Sequence, residues 1–251
     1  MEIRTFGVGE RLFECRRLIG ERAGELPFAR LFLLPIPTAR DKKQITGTDT
    51  PLAELCEQVS FGDAVAGYAI PENIKEKLTA RGVPVYDGEE DEDFLLRNAE
   101  VTARGAIGVI LTDFKLDITD LNIGIIGYGR IGSCLLRYLL YLGASVTVYT
   151  TRVSVARELC ESGVTASTSL EGIEALDLLI NTAPARLLSE GEVRRFTEKG
   201  RIIDLASGKL FSDSESVLKL ASVPEKFYPV SAGRIYAEHI LKFLSEEGGV
   251  C

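Results

Sequence analysis

The sequence predicts an α/β fold in which a doubly wound parallel sheet is accompanied by a second, smaller α/β domain. Two observations carry this prediction. From residue 121 onward, short apolar runs alternate with helical segments, which is the pattern of parallel βα units. The apolar run Leu121–Ile126 also leads directly into a glycine-rich turn, Gly127–Gly132, and a helical stretch follows. A strand, three glycines at this spacing and a helix are together typical of a Rossmann-type dinucleotide-binding domain.

The glycine-rich turn reads Gly-Tyr-Gly-Arg-Ile-Gly, and each glycine has a separate predicted task. Gly127 allows a tight turn, Gly129 lets a pyrophosphate approach the backbone, and Gly132 lets the helix pack closely on the strand. The amino end of the helix offers N–H groups and a partial positive charge to a phosphate. The alternative is an ordinary strand–turn–helix connection, but packing alone does not explain three glycines here. We expect the whole turn to bind the cofactor, through Gly127, Tyr128, Gly129, Arg130, Ile131 and Gly132.

The first part of the chain contains the elements of the smaller domain, which we expect over residues 1–92. Its predicted strands are Ile3–Phe6, Leu31–Leu34, Ala64–Ala69 and Val83–Tyr86, and its predicted helices are Leu12–Arg22 and Pro71–Arg81. Pro35 and Pro37 end the second strand, because proline cannot donate to a sheet ladder. The polar segment Thr38–Pro51 has neither strand nor helix periodicity, and long loops of this kind are often binding loops.

An acidic run at residues 88–93 precedes the longest predicted helix, Phe94–Phe114. A metal site is one interpretation of this run. Its carboxylates follow one another in sequence without evident partner ligands, so we expect instead that they complement the dipole at the start of the helix. No metal is predicted. Gly105 and Gly108 weaken the helix locally, and such glycines usually permit close approach of another backbone or a ligand.

The dinucleotide-binding domain is expected over residues 93–231, with the long helix at 93–114 included. Its predicted strands are Asn122–Ile126, Ser145–Tyr149, Leu176–Asn181, Gly200–Leu205 and Lys226–Val230. A last helix, Ala232–Glu247, is expected to pack, with residues up to 251, back on the smaller domain. The ligand cleft is then expected between the domains, at the carboxyl ends of the strands.

The end of the second strand of this domain indicates which dinucleotide binds. Proteins selective for NAD carry an Asp or Glu there, which binds the ribose 2′-hydroxyl. Here the strand is followed by Thr150, Thr151 and Arg152, with no carboxylate. Because a guanidinium suits an anionic 2′-phosphate, we predict NADP in preference to NAD. The alternative is that Arg152 simply opens the next helix in solvent.

Composition and charge restrict the partners of this 251-residue chain. The formal net charge of −8 and the pI near 5.0 argue against nucleic acid or an anionic membrane as a partner. No apolar run approaches the ~20 residues that a membrane span needs, and the first residues do not resemble a signal peptide. The five cysteines are never spaced as Cys-x-x-Cys, which argues against structural zinc and a disulfide framework. We expect a cytoplasmic protein.

Several segments together resemble one family, that of the A subunit of bacterial dipicolinate synthase, which is itself built like the D-2-hydroxyacid dehydrogenases. The resemblance covers most of the chain from residue 31 to 210. The matching segments are Leu34–Thr38, Asn98 through Thr102 to Gly105, Gly127–Gly132, Leu142–Ala144, Ile180–Pro184 and Ile203–Ser207. The Asn-Thr-x-Pro and Asp-Leu-Ala-Ser segments that end this series are fairly specific in combination.

The chain departs from the family pattern in its substrate half. Arg104 stands where the family usually has Glu, which reverses a charge near the expected cleft. The chain between Arg22 and Leu31 is short by about one βα unit, so the smaller domain is expected to be flavodoxin-like but truncated. The segment Pro229–Arg234 is also contracted. These departures concern the identity of the substrate more than that of the cofactor.

The resemblance implies an oxidation of dihydrodipicolinate or a similar cyclic dicarboxylate in which the nicotinamide takes hydride, and the end of the second strand predicts NADP as the cofactor. It also implies that a flavoprotein-like B subunit is a partner, and we expect a homo-oligomer. Arginines suit carboxylates, and the candidate substrate-binding residues are Arg11, Thr38, Arg104 and Arg234, with Arg40 and Arg186 as further arginines. The groups predicted to act at the reacting ring are Thr102, Asn181 and Ser207, and Thr182, Ala183 and Pro184 are assigned to the cofactor.

The only histidine, His239, lies in the last predicted helix beside Glu238. Neighbouring residues do not share a helix face, so we interpret His239 as a structural or surface residue and not as half of an acid–base pair.

Two further functions of the chain stay open. One is a non-catalytic dinucleotide-binding or regulatory subunit of a hetero-oligomer, and the other is a stand-alone 2-hydroxyacid reductase.

Overall fold

Two units make up the chain: residues 1–98 together with 224–251 form unit 1, and residues 99–223 form unit 2. The computed structural model describes residues 1–206, 211, 212 and 214–249. The strands, in chain order, are β1 (Glu2–Thr5), β2 (Arg30–Leu33), β3 (Ala64–Gly67), β4 (Val85–Asp87), β5 (Asn122–Ile126), β6 (Ser145–Tyr149), β7 (Thr165–Ser167), β8 (Leu178–Asn181), β9 (Arg201–Asp204) and β10 (Val217–Lys219). The helices are α1 (Glu10–Arg22), α2 (Leu52–Gln58), α3 (Glu72–Thr79), α4 (Glu92–Asp113), α5 (Arg130–Tyr141), α6 (Val153–Glu161), α7 (Glu190–Thr197), α8 (Val223–Phe227) and α9 (Pro229–Glu247).

Unit 2 contains the predicted doubly wound sheet. Its parallel strands are ordered β10-β9-β8-β5-β6-β7, so the order reverses at β5, as it does in a Rossmann fold. The register places Ile126 of β5 opposite Tyr149 of β6 and Asn181 of β8. The carboxyl ends of these three strands therefore lie side by side. The predicted fold class is confirmed.

Unit 1 contains a smaller parallel sheet in the order β1-β2-β3-β4. Its two faces are covered differently: apolar residues of α2 and α3 pack with Phe32 and Val65 in one core, and α1 packs against α9. Tyr236 of α9 is fully buried, lies 5.6 Å from the Phe94 ring, and donates its hydroxyl to the Leu34 carbonyl at 3.3 Å. These contacts connect the last helix to the sheet of unit 1.

One predicted strand, Lys226–Val230, is wrong. Lys226 and Phe227 end α8, Tyr228 lies between the two helices, and Pro229 and Val230 begin α9. The edge strand on this side of the sheet of unit 2 is Val217–Lys219. Pro229 occupies the first position of α9, where its missing N–H is not needed and its fixed φ favours a helix start. The apolar side chains that suggested a strand, Phe227 and Tyr228, are exposed in the structure.

The acidic run before α4 acts at the helix start, as its sequence position suggests. Asp91 accepts a hydrogen bond from the Phe94 N–H at 3.0 Å, and Glu92 and Asp93 lie in the first turn. Among the described residues, no group of histidine, cysteine and acidic side chains is arranged to hold a metal ion. The segment 38–51 is irregular as predicted, with one bridge between Gln44 and Pro51.

A buried ion pair ties the starts of β2 and β3 together, and its loss is expected to be costly. Asp63 is 1% exposed and accepts two hydrogen bonds from Arg30, at 2.9 and 2.5 Å, and one from the Ser60 N–H. Burial by itself raises the pKa of the Asp63 carboxyl, but the hydrogen bonds from Arg30 and Ser60 outweigh it and hold the pKa below its ordinary value. This stabilisation is present above the unfolded pKa of about 3.9 and is lost as pH falls through the folded value.

We therefore expect Asp63→Asn to lower the free energy of unfolding by about 2 kcal/mol at neutral pH. Urea unfolding of both proteins across pH 7 to 2 provides the measurement. The difference between them should shrink below about pH 4. If the difference in the free energy of unfolding stayed constant down to pH 2, the charge of the Asp63 carboxylate would not be what stabilises the starts of β2 and β3.

Candidate functional site

The three glycines of the turn after β5 have three different environments. Gly127 has φ +93°, a conformation that side-chain-bearing residues rarely adopt. A Cβ on Gly132 would lie 2.2 Å from the Gly127 carbonyl oxygen, so α5 packs on the turn at a distance that only glycine permits. Among the described residues, a Cβ on Gly129 would meet nothing within 4 Å. Gly127 and Gly132 are thus required by the fold, whereas Gly129 faces open space.

The amino end of α5 lies at this open space. Gly129 is the residue before the helix, and no side chain in the described part of the chain caps it. The first-turn N–H groups of an uncapped helix are available to an anion, and the helix dipole favours negative charge there. Open space over Gly129 and an uncapped helix start together fit a phosphate group.

Thr182, which follows β8, holds the turn from the neighbouring strand. Its hydroxyl lies 2.9 Å from the Ile126 carbonyl oxygen and 3.2 Å from that of Gly127, and it can donate to either. Its N–H also donates to Ile126 at 2.9 Å. The next residue, Ala183, lies so close that a Cβ on Gly127 would be 3.2 Å from its nitrogen. Thr182 and Ala183 were assigned to the cofactor from the sequence, and in the structure both contact the backbone of the glycine-rich turn. The third, Pro184, is exposed.

Asn181 belongs to a buried network at the ends of β8 and β9. Its side-chain amide donates to Asp204 at 2.8 Å and to the Ala183 carbonyl at 3.2 Å, and both Asn181 and Asp204 are almost fully buried. The side chain therefore fixes the strand ends, and its predicted part in catalysis stays a prediction. Thr102 is buried on α4. Ser207 lies outside the described residues.

Arg152, which follows β6, reaches the glycine-rich turn. Its guanidinium donates to the Tyr128 carbonyl oxygen. Next to Thr150 and Thr151 lies a cavity of about 200 Å³, and no carboxylate of the described residues lines it. Its walls are Tyr149, Thr150, Thr151, Thr168, Ser169, Leu170 and Leu187. Two leucines and a ring of hydroxyls suit a nucleoside, which presents a flat apolar base and a polar sugar. The neighbourhood of Arg152 is thus cationic and rich in hydroxyls.

Two of the predicted substrate-binding residues are buried within unit 1. Arg11 lies between the rings of Phe94 and Tyr236, 5.9 Å from each centroid, and donates to Asn98 at 3.1 Å. Burial lowers the pKa of its guanidinium, and its Nε has no hydrogen-bond partner among the residues that the structure describes. Thr38 is fully buried and accepts the Tyr68 N–H at 2.9 Å. Both side chains stabilise the structure, and a role toward substrate stays a prediction for each.

The other predicted arginines are exposed. Arg104 pairs with Glu100 at 2.7 Å and donates to the Tyr138 hydroxyl at 3.1 Å, so its charge is compensated on the surface of unit 2. Arg186 lies near Glu190, at 3.4 Å, and donates to the Leu188 carbonyl. Arg40 and Arg234 are exposed in unit 1.

His239 has a carboxylate partner, Asp91, that its position in the sequence did not indicate. Its Nδ1 lies 2.7 Å from Asp91, and its ring packs edge-on against Phe94, so the residue is buried and not on the surface. Glu238, its neighbour in sequence, pairs instead with Arg97 at 2.6 Å. Asp91 and His239 are 148 positions apart, and only the packing of α9 on the start of α4 brings them together. The prediction of a structural histidine fits this burial.

Comparisons with known proteins point to the same fold. Residues 104–222 match the family of the D-isomer specific 2-hydroxyacid dehydrogenase, NAD binding domain. The A subunit of dipicolinate synthase from Bacillus subtilis (strain 168) is 27% identical over 185 residues, which cover 70% of this chain and 61% of that protein. The matched segment thus spans less than two thirds of that relative.

Two solved structures share the fold over nearly the whole chain. The A subunit of dipicolinate synthase from Bacillus halodurans aligns with a TM-score of 0.80 at 19% identity, covering 97% of both chains. Its counterpart from Bacillus subtilis aligns with a TM-score of 0.81 at 19% identity, covering 99% of this chain and 97% of that one. The resemblance to the A subunit of dipicolinate synthase that we inferred from the sequence is confirmed.

In the part of the chain that is described, no helix is long and apolar enough to cross a membrane.

Proposed function

We propose that this chain is an NADP-dependent oxidoreductase subunit, resembling the A subunit of dipicolinate synthase, that oxidises a dihydrodipicolinate-like cyclic dicarboxylate. The observation that carries the proposal is the set of groups at the carboxyl ends of β5 and β6: an open Gly129, an uncapped helix α5 and the guanidinium of Arg152. The similarity to the 2-hydroxyacid dehydrogenase NAD-binding domain supports the redox assignment.

The residues at this edge of the sheet fit each part of the cofactor. Gly129 and the start of α5 would hold the pyrophosphate. The cavity lined by Thr150, Thr151 and their neighbours would take the adenosine. Arg152 would pair with the 2′-phosphate, since no carboxylate follows β6 to favour a free 2′-hydroxyl. When bound, the cofactor supplies a nicotinamide ring that accepts hydride, and the protein contributes binding and orientation.

The substrate side rests on cations and hydroxyls. A dicarboxylate needs guanidinium or N–H donors, and we assign this task to Arg104 and Arg234, whose guanidinium groups are exposed, together with Arg11 and Thr38. Thr102, Asn181 and Ser207 would orient the ring. Removal of hydride and loss of a proton to water suffice to aromatise such a ring, so no histidine acid–base pair is required.

As partners we propose further copies of this chain, in a homo-oligomer, together with a flavoprotein-like B subunit. We propose the cytoplasm as the location.

A second candidate is a non-catalytic dinucleotide-binding subunit. It is favoured by the engagement of Arg11, Thr38 and Asn181 in internal hydrogen bonds, which leaves fewer free groups for a substrate. The cofactor site is the same in both candidates, so cofactor binding cannot separate them and turnover can.

The decisive experiment measures NADPH formation with dihydrodipicolinate, by the purified chain alone and with a flavoprotein-like B subunit. We expect turnover in at least one condition, and the Gly129→Ala variant provides the blank. Cofactor binding without turnover in either condition would leave the non-catalytic subunit. Reduction of 2-keto acids by the chain alone would point to a stand-alone 2-hydroxyacid reductase.

A further inference from the structure

The first strand of unit 1 leaves one edge of its sheet unpaired. β1 is the end strand of the order β1-β2-β3-β4 and, among the described strands, pairs with β2 only. The N–H groups of Glu2 and Phe6 donate toward β2. Because successive residues of a strand direct their backbone groups to opposite sides, Ile3 and Thr5 direct theirs outward. This edge is therefore a template for another strand.

The edge is open because of a local contraction of the chain. In the flavodoxin-like strand order 2-1-3-4-5, the second strand covers the outer edge of the first. Here α1 is followed by one short 3₁₀ turn, Ala23–Glu25, and then by β2, which pairs on the inner side of β1. No strand of the intervening segment covers the outer edge.

A groove runs beside this edge, between β1 and α1. It has a volume of about 430 Å³ and is lined by Met1, Glu2, Ile3, Phe13, Arg16, Arg17, Gly20 and Ala23. Phe13 is 66% exposed, although it is a large aromatic side chain. Gly20 adds no side chain to the groove and lies near Ile3. The groove can thus accept apolar side chains from a strand added to β1.

The charges of β1 match those of a second β1. Glu2 and Arg4 lie on the same face of the strand and form an ion pair at 2.9 Å, with both side chains partly exposed. Edge strands are often protected by charged side chains, and β1 carries two of these, Glu2 and Arg4. It carries one charge of each sign, so two copies do not repel each other when they are antiparallel.

We propose that two copies of this chain pair through β1, antiparallel, about a two-fold axis at Ile3. In this register Ile3 faces Ile3 of the second copy, and each exchanges its outward N–H and C=O with the other. Glu2 of each copy faces Arg4 of the other, which makes a ring of alternating charges. On the opposite face of the joined sheet, the side chains of Ile3 and Phe13 from the two copies fill the two grooves that lie between β1 and α1. The two four-stranded sheets become continuous, and the interface is self-complementary as a two-fold requires.

The test is the mass in solution, by sedimentation velocity over a range of concentrations, of the untagged wild type and charge variants. We expect a wild-type species of about twice the 27.4 kDa chain mass. Arg4→Glu and Glu2→Arg should each weaken the dimer at least tenfold, because like charges then face each other across the axis. The double variant with both changes restores opposite charges and should restore the dimer. A mixture of the two single variants should form the heterodimer.

Folding and cofactor binding are followed in the same samples. Ile3→Pro supplies a second probe, since it removes an outward N–H and leaves the bonds to β2 in place. Thermal melts identify any variant that fails to fold, and NADP titration reports on unit 2 separately, so the pairing can fail while the cofactor site stands. A monomeric wild type, a dimer unaffected by Arg4→Glu or Ile3→Pro, or a folded double variant that stays monomeric would each overturn the proposal.

Discussion

Substituting Gly129 or Gly132 by alanine is expected to give opposite results, although the two residues lie three positions apart in one turn. In Gly129→Ala the new Cβ meets no atom of residues 1–206, 211, 212 and 214–249 within 4 Å, so the free energy of unfolding should change by less than about 0.5 kcal/mol. The same Cβ would occupy the space assigned to the pyrophosphate. We therefore expect the affinity for NADP to fall at least about tenfold, which corresponds to about 1.4 kcal/mol.

In Gly132→Ala the new Cβ would lie 2.2 Å from a backbone oxygen, that of Gly127. The backbone must move, and forced contacts of this kind cost about 1–3 kcal/mol or more. Thermal melts and NADP titrations of both variants supply the measurements. If Gly129→Ala bound NADP as tightly as the wild type, the phosphate site would not lie over this turn. If Gly132→Ala kept wild-type stability, the close packing of α5 on the turn would be wrong.

The parts of the fold that the sequence predicted best are those where a short pattern has one physical solution. The glycine-rich turn and the strands β5 and β6 lie where the apolar runs and the glycines indicated. The strand expected at Lys226–Val230 shows the limit, since a short apolar run fits a strand or a helix and the position of Pro229 decides for the helix. β7 and α2 were not predicted, because three residues or two turns carry too little periodicity.

The candidate site could be predicted less completely than the fold. Residue types identified the cofactor turn and Arg152, because these lie beside strand ends in the sequence itself. The burial of Arg11 between two aromatic rings and the pairing of Asp91 with His239 depend on how α9 packs in unit 1. No spacing along the chain reports such contacts. The residue type alone does not distinguish an arginine that binds a carboxylate from one that is buried between aromatic rings.

Replacing Arg152 by alanine is expected to separate the two nicotinamide cofactors. A charge-assisted hydrogen bond to a phosphate contributes about 1.5–3 kcal/mol, so NADP should bind roughly 10–150-fold more weakly. NAD lacks the 2′-phosphate, and its affinity should change by less than about twofold. The preference of the wild type for NADP would then largely disappear in the variant. Calorimetric titration of each protein with each cofactor provides the four affinities.

A matched control comes from Arg157. Like Arg152, which precedes α6, it is exposed and positively charged, but it lies within the helix. Arg157→Ala removes an equal charge farther along the helix, so it should leave both affinities within about twofold of the wild type. Arg152 also donates to the Tyr128 carbonyl, and a loosened turn would weaken NAD and NADP together. A selective loss of NADP affinity therefore identifies a contact with the 2′-phosphate, and an equal loss of both assigns Arg152 to holding the turn. Equal affinity of the wild type for both cofactors, unchanged in Arg152→Ala, would end the assignment of NADP.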